Sequence, residues 1–176
     1  MKAFCSFCFI FLISTNLFSS NINIFGLGLY DVNFDGADTS QTIDFKYERR
    51  FDKTIIDIGP EDDNFFFLKP FVGLEYTGDN ASYFLTGIYL EDNVGQLFQG
   101  KKNKWIFTPS LGFGYYDRGS GKKLGHDVQF RTTIEFSYEL KNSNRLGLSF
   151  SHTSNANLGN KNPGVEVITL SYQVPY

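Results

Sequence analysis

The chain has 176 residues, a formal net charge of −3 and an aromatic content of 18%. This length limits the molecule to one domain, and the interspersed charges form no basic stripe that would favour nucleic acid. The two cysteines, Cys5 and Cys8, both lie near the N-terminus. If that segment is removed, a thiol nucleophile and a cysteine-ligated metal are excluded.

Residues 1–20 have the features of a secretory signal peptide. Lys2 supplies one positive charge, a mostly apolar run extends from Phe4 to Phe18, and two serines follow. The run is too short for a membrane-spanning helix, and no other run approaches the roughly 20 apolar residues that such a helix needs. We expect a signal peptide over 1–20 and one domain over 21–176. The alternative is a buried N-terminal helix.

The rest of the chain alternates between apolar and polar residues with a period of two, which predicts strands. Within 127–140, for example, Phe130 and Phe136 alternate with Arg131 and Glu135. Eight strands are predicted, over residues 23–32, 41–51, 65–76, 82–90, 104–116, 127–140, 145–154 and 166–176. Alternating strands, many aromatic residues and no spanning helix indicate an all-β fold, an eight-stranded antiparallel transmembrane β-barrel of the outer membrane.

The polar faces of these strands are expected to fill a narrow interior. We expect Arg131, Glu135 and Glu139 to plug it, with Arg131 paired to one of the two glutamates. Two long polar connections, 52–64 and 91–103, are predicted at the periplasmic end, the second with one helical turn. With both termini periplasmic, the seventh strand ends at the cell exterior.

Polar groups interrupt the apolar face of the last hairpin at that end. His152 and Ser154 end this face in the seventh strand, and Glu166 begins it in the eighth. Residues i and i+2 of a strand lie roughly 6.5–7 Å apart on one face, and the antiparallel partner can bring Glu166 beside His152. The three residues can then act as base, nucleophile and orienting carboxylate, with the Asn155 amide group as an oxyanion donor. The alternative is a set of interface residues hydrated at the head groups.

The segment 150–156, FSHTSNA, and the segment 162–166, NPGVE, resemble the C-terminal signature of the lipid A 3-O-deacylase family (PagL type). The resemblance is carried by His-x-Ser-Asn and by a glutamate fourteen residues after the histidine. It covers residues 120–176 in motif and the first hundred residues in architecture. It implies an eight-stranded outer-membrane barrel that removes the 3-position acyl chain of lipid A, without metal or other cofactor.

The resemblance also implies a role for each site residue. Ser154 is the expected nucleophile, His152 the general base and then acid, and Glu166 the orienting group. The expected oxyanion donors are Asn155 and the backbone N–H groups of Ala156 and Asn157. Family members often have glycine at the last position, and asparagine tolerates the left-handed backbone better than most residues.

The substrate is expected to be lipid A, as part of lipopolysaccharide in the outer leaflet, which reaches the site by lateral diffusion. Its acyl chain is expected to lie along Leu148 and Phe150. Three basic residues of one extracellular loop could meet its phosphates, and the alternative for them is a solvated loop; they are Arg118, Lys122 and Lys123.

Other functions stay open from the residues alone. His126 has no second histidine near it, so no metal site is predicted. A non-catalytic structural or adhesin-like barrel and a lipid A acyltransferase are the alternative functions. Both a monomer and a homodimer are compatible with the sequence.

Overall fold

The computed structural model describes residues 21–32, 41–57 and 67–176. In these ranges the chain forms ten strands and one short helix. The strands are β1 (Ile22–Tyr30), β2 (Thr42–Arg50), β3 (Ile56–Asp57), β4 (Phe67–Thr77), β5 (Ser82–Tyr89), β6 (Asp92–Asn93), β7 (Trp105–Asp117), β8 (Val128–Glu139), β9 (Arg145–Ser154) and β10 (Val165–Pro175), and the helix is α1 (Val94–Gln99). The predicted signal peptide lies outside the described residues and stays a prediction, as does the domain boundary after it.

Eight long strands close into an antiparallel barrel, which confirms the predicted fold class. Each long strand pairs with its neighbour in the chain, and β1 closes the ring by pairing with β10. The two-residue strands β3 and β6 add to the edges of β4 and β7. Ile22 lies opposite Pro175, so the first and last strands begin and end at the same end of the barrel.

The predicted strand limits agree with the structure to within two residues for all eight strands. Alternation sets these limits well because each strand separates an apolar exterior from a polar interior. The helical turn expected in 91–103 is α1, whose first N–H groups are capped by the Asn93 side chain. No helix in the described ranges is long and apolar enough to span a bilayer.

The two faces of the barrel wall differ sharply in character. Outward side chains of β1 such as Leu27 and Leu29 are 55% and 61% exposed, whereas inward Glu48 of β2 and Glu135 of β8 are fully buried. An apolar exterior around a polar, side-chain-filled interior is the pattern of a small membrane barrel.

Ion pairs fill the interior, but not the pairs that the sequence suggested. Arg131 of β8 pairs with Glu48 of β2 and Glu75 of β4, and Glu135 accepts from Arg50 of β2 at 2.8 Å. The predicted pairing of Arg131 with Glu135 or Glu139 is therefore wrong. Residues four apart on one strand are about 13 Å apart, whereas inward side chains of facing strands meet in a narrow barrel.

The connections 78–81, 118–127 and 155–164 gather at one end of the barrel, called here the site end. The Ser120 N–H donates to Asp79 O at 2.9 Å, which ties two of these connections together. Below them, the hydroxyls of Tyr30 and Tyr116 lie 3.0 Å apart in the interior, close to buried Leu124. Buried side chains thus occupy the barrel beneath the site end.

Candidate active site

The last hairpin places the three predicted catalytic side chains on the outer face of the wall. Glu166 of β10 lies directly opposite His152 of β9, and on the other side His152 lies opposite Thr132 of β8. Ser154 ends β9 two residues later, opposite Phe130. Because the side-chain period of a strand is two, all three project to the exterior at the site end.

His152 and Glu166 form a hydrogen-bonded pair. The His152 Nδ1 atom lies 2.9 Å from Glu166 Oε1, and the two side chains are 48% and 35% exposed. A carboxylate at Nδ1 favours the tautomer that carries its proton there, which leaves Nε2 as the hydrogen-bond acceptor. The imidazole is thus oriented as a base whose free nitrogen points away from the carboxylate.

Gly164 lets the loop approach this imidazole closely. Its φ is +65°, and a Cβ at this position would lie 2.9 Å from His152 Cε1. Any other residue would strain the backbone and push against the ring. The glycine therefore allows the returning loop to pack close to the imidazole.

Ser154 is half-buried and follows His152 by two residues on the same face. Among the described residues, no hydrogen bond joins its hydroxyl to the imidazole. A change of the serine rotamer, or a substrate that draws the two groups together, would bring Oγ towards Nε2.

The backbone turns tightly directly after Ser154. Ala156 and Asn157 have φ values of +49° and +64°, and the Leu158 N–H donates to Asn155 O at 2.9 Å. Two successive positive φ values with this hydrogen bond are the features of a type I′ turn. Within the part of the chain that is described, the N–H groups of Ala156 and Asn157 have no acceptor, so they are available to a ligand.

Asn155 has a different environment from the one predicted for it. It is fully buried, and its Nδ2 donates to the carbonyls of Leu124 and Lys161, both at 2.7 Å. Both amide hydrogens are engaged, so this geometry does not agree with an oxyanion role for the side chain. The period of two explains it, since Asn155 continues the inward face of Ser151 and Thr153.

Asn162 has a structural role that its sequence position alone does not predict. Its Oδ1 accepts the Asn155 N–H at 2.9 Å, and its Nδ2 lies 3.4 Å from Asn157 Oδ1. These contacts join the returning loop to the turn after Ser154. The sequence signal for this residue is the Asn-Pro-Gly segment that begins at Asn162 and forms part of the family motif.

The remaining predicted residues lie around this group without joining it. Leu148 and Phe150 are 58% and 40% exposed on the outer face of β9, directly below His152. Lys122 is paired with Asp31, whereas Arg118 and Lys123 line an open cleft of about 310 Å³ at the site end.

His126 also lines this cleft, and its Nδ1 accepts the Val128 N–H at 2.9 Å. This contact caps the start of β8. Among the described residues, no three His, Cys, Asp or Glu side chains are grouped to hold a metal ion.

The fold and the site together define a class, the small outer-membrane-type barrel with a His–Glu pair and a serine on its apolar exterior. The profile of the lipid A 3-O-deacylase (PagL) family matches residues 30–175. The chain belongs to this family, which confirms the resemblance seen in its C-terminal motif.

The chain is also similar to individual proteins. It is 41% identical to the lipid A deacylase PagL of Bordetella bronchiseptica over 51 residues, which are 29% of each chain. The aligned part thus spans less than a third of that relative's length.

Solved structures share the fold. The crystal structure of the outer membrane enzyme PagL matches with a TM-score of 0.61 and 16% identity, covering 88% of this chain and 99% of that one. The Neisserial surface protein A, NspA, matches with a TM-score of 0.57 and 8% identity, covering 89% of this chain and 97% of that one. At these identities the likeness concerns the barrel alone.

Proposed function

We propose that this protein is an outer-membrane serine esterase that hydrolyses the 3-position acyl ester of lipid A. The observation that carries the proposal is the His152–Glu166 pair beside Ser154 on the lipid-facing surface, in a chain of the lipid A 3-O-deacylase family. Polar groups on an apolar membrane face are energetically costly, so their presence there favours a functional role.

In the proposed reaction, Ser154 Oγ attacks the ester carbonyl carbon while His152 Nε2 accepts the hydroxyl proton. The tetrahedral intermediate expels the sugar 3-oxygen, which takes that proton from the imidazolium. Water then attacks the acyl-serine carbonyl while His152 accepts a proton from the water. This second step releases the fatty acid, and the imidazolium returns the proton to the serine oxygen. Glu166 stabilises the imidazolium in both halves of the reaction.

The backbone N–H groups of Ala156 and Asn157 are the proposed oxyanion donors. They lie two and three residues after the nucleophile in a turn with positive φ, and neither has an acceptor among the described residues. Asn155 acts indirectly, because its side chain holds this turn between Leu124 and Lys161. Fixed donors aimed at a developing oxyanion are typically worth several kcal/mol of barrier.

The substrate is proposed to arrive sideways through the outer leaflet. The exterior position of the site makes passage through the barrel unnecessary, and buried ion pairs such as Arg50–Glu135 occupy the interior. The scissile acyl chain would lie along Phe150 and Leu148. The phosphates would lie near Arg118 and Lys123, while Lys122 keeps its partner Asp31.

Mass spectrometry of lipid A tests this function directly. Cells that lack a deacylase of their own would express the wild-type chain or the Ser154→Ala variant. We expect lipid A from the wild-type culture to lose one 3-hydroxyacyl chain, and lipid A from the variant culture to stay unchanged. An unchanged mass with correctly inserted wild-type barrel would indicate a non-catalytic barrel, and an added acyl chain would indicate an acyltransferase.

A further inference from the structure

A groove of about 240 Å³ lies on the outer surface, across β5, β7 and β8. Its apolar lining distinguishes it from the polar cleft at the site end. The residues that shape it are Ile88, Leu90, Pro109, Leu111, Thr132 and Ile134.

Pro109 explains why the wall is recessed here. Proline has no backbone N–H, so Pro109 accepts from the Leu90 N–H at 3.0 Å but cannot return a hydrogen bond. The regular pairing of β5 with β7 ends next to it, at Tyr89 and Ser110. The groove therefore reaches down to these inward residues and to Thr133.

This groove borders the candidate active site through one of its lining residues, Thr132. Thr132 lies directly opposite His152, Leu111 lies opposite Thr132, and Ile88 lies opposite Leu111. These four residues form a row across the wall. Neighbouring strands are about 4.8 Å apart, so the three spacings place Ile88 about 14 Å from His152.

The row descends from the site end into the membrane region. His152 is two residues from the site end of β9, whereas Ile88 is one residue from the opposite end of β5. Strands of such barrels are tilted by roughly 35–45°, so a row perpendicular to them must run obliquely down the wall.

Thr132 makes the entrance to the groove. Its outward neighbours on β8 are the larger Phe130 and Ile134, so its short side chain leaves a gap between them. This gap extends from His152 across β8 into the groove. The surface formed by Phe150 and Leu148 instead runs along β9, so the two surfaces diverge at the histidine.

We propose that the groove holds an acyl chain of the substrate that stays attached to the sugar while the ester at Ser154 is cleaved. The proposal rests on the proposed function. Lipid A carries several acyl chains, and a scissile chain lying along β9 leaves the groove across β8 for a retained one. The apolar lining and the depth of the groove suit a hydrocarbon chain better than a head group.

Thr132→Trp tests the proposal because it closes the entrance. Its matched control is Phe45→Trp, on the outer face of β2, which lies outside the groove and does not pair with β9. Both variants of the full chain would be assayed with multi-acylated lipid A and with a glucosamine ester that carries one 3-linked acyl chain. We expect Thr132→Trp to lower kcat/KM for lipid A about tenfold and to leave the single-chain ester within about twofold. The control should leave both substrates within that range.

Two results would overturn the proposal. An equal loss on both substrates would show that closing the groove acts on the cleavage step itself and not on a retained chain. No loss on either would show that only bulk lipid fills the groove.

A binding measurement separates this proposal from the proposed function. In a Ser154→Ala, Trp105→Phe background, a Leu111→Trp reporter would be quenched by lipid A brominated on its retained chains. If this quenching is no stronger than the quenching by brominated phospholipid at the same mole fraction, the groove does not bind a retained acyl chain. This conclusion would hold whether or not the wild-type chain is a deacylase.

Discussion

Glu166 and His152 meet on the exposed outer face of the barrel, where a hydrogen-bonded pair of polar side chains contributes little to stability. Their 2.9 Å contact is more important for the imidazole, because it fixes which nitrogen can act as a base. In the proposed mechanism the pair therefore acts in the chemistry of the site more than in the stability of the fold.

Replacing these two residues should separate the base from the group that orients it. His152→Ala should abolish deacylation. Glu166→Gln should keep roughly 10- to 100-fold more activity than the residual rate of His152→Ala, because the orienting residue is the least costly member of such a triad to lose. Initial rates on purified lipid A measure both. Heat-modifiable gel migration should show folded barrels in each case, and equal rates for the two variants would contradict the assigned roles.

Asn155 should act through stability and loop position. Asn155→Ala leaves the carbonyls of Leu124 and Lys161 without their donor, at a cost of about 1–3 kcal/mol of unfolding free energy. We expect a lower thermal midpoint together with reduced kcat. A loss of kcat with an unchanged thermal midpoint would instead support a direct oxyanion role for the side chain.

At the scale of the element, β9 presents two faces with separate tasks. Leu148 projects to the exterior below His152, and its neighbour Ser149 is buried inside. A single strand thus carries both the proposed acyl-chain track and part of the interior filling.

Substitutions at these adjacent positions should have different effects. Leu148→Trp should shift the preferred acyl length or abolish activity, whereas Ser149→Ala should leave the preference unchanged and act only through stability. Competition assays with lipid A species of different chain length measure this preference. An altered preference in the Ser149 variant, with none in the Leu148 variant, would place the chain inside the barrel.

At the scale of the whole molecule, the interior ion pairs connect strands that are far apart in sequence. Arg131→Leu would leave Glu48 and Glu75 buried without this partner, which should cost about 3–5 kcal/mol. Denaturant unfolding in detergent measures the loss of unfolding free energy. Lys141→Ala, at an exposed position, is the control, and its change in unfolding free energy should be near zero. Acyl selectivity should stay unchanged, and a selectivity change would indicate that the interior contacts the substrate.

The sequence predicted more about the wall than about what the wall encloses. Alternation and turn residues specified eight strands and their faces, because each strand carries this pattern locally. The partners of Arg131 depend on which strands face each other across the barrel, which no local pattern encodes. The environment of Asn155 was missed because the alternation was not continued past the end of β9.

Covalent labelling of Ser154 tests the central claim most directly. The purified chain would be treated with a serine-reactive organophosphorus reagent, digested and analysed by mass spectrometry, beside a Ser154→Ala control. We predict one adduct, on the peptide that contains Ser154, and a loss of deacylation in proportion to labelling. The control should take up no label and show no deacylation. Full deacylation by the Ser154→Ala variant would contradict the account.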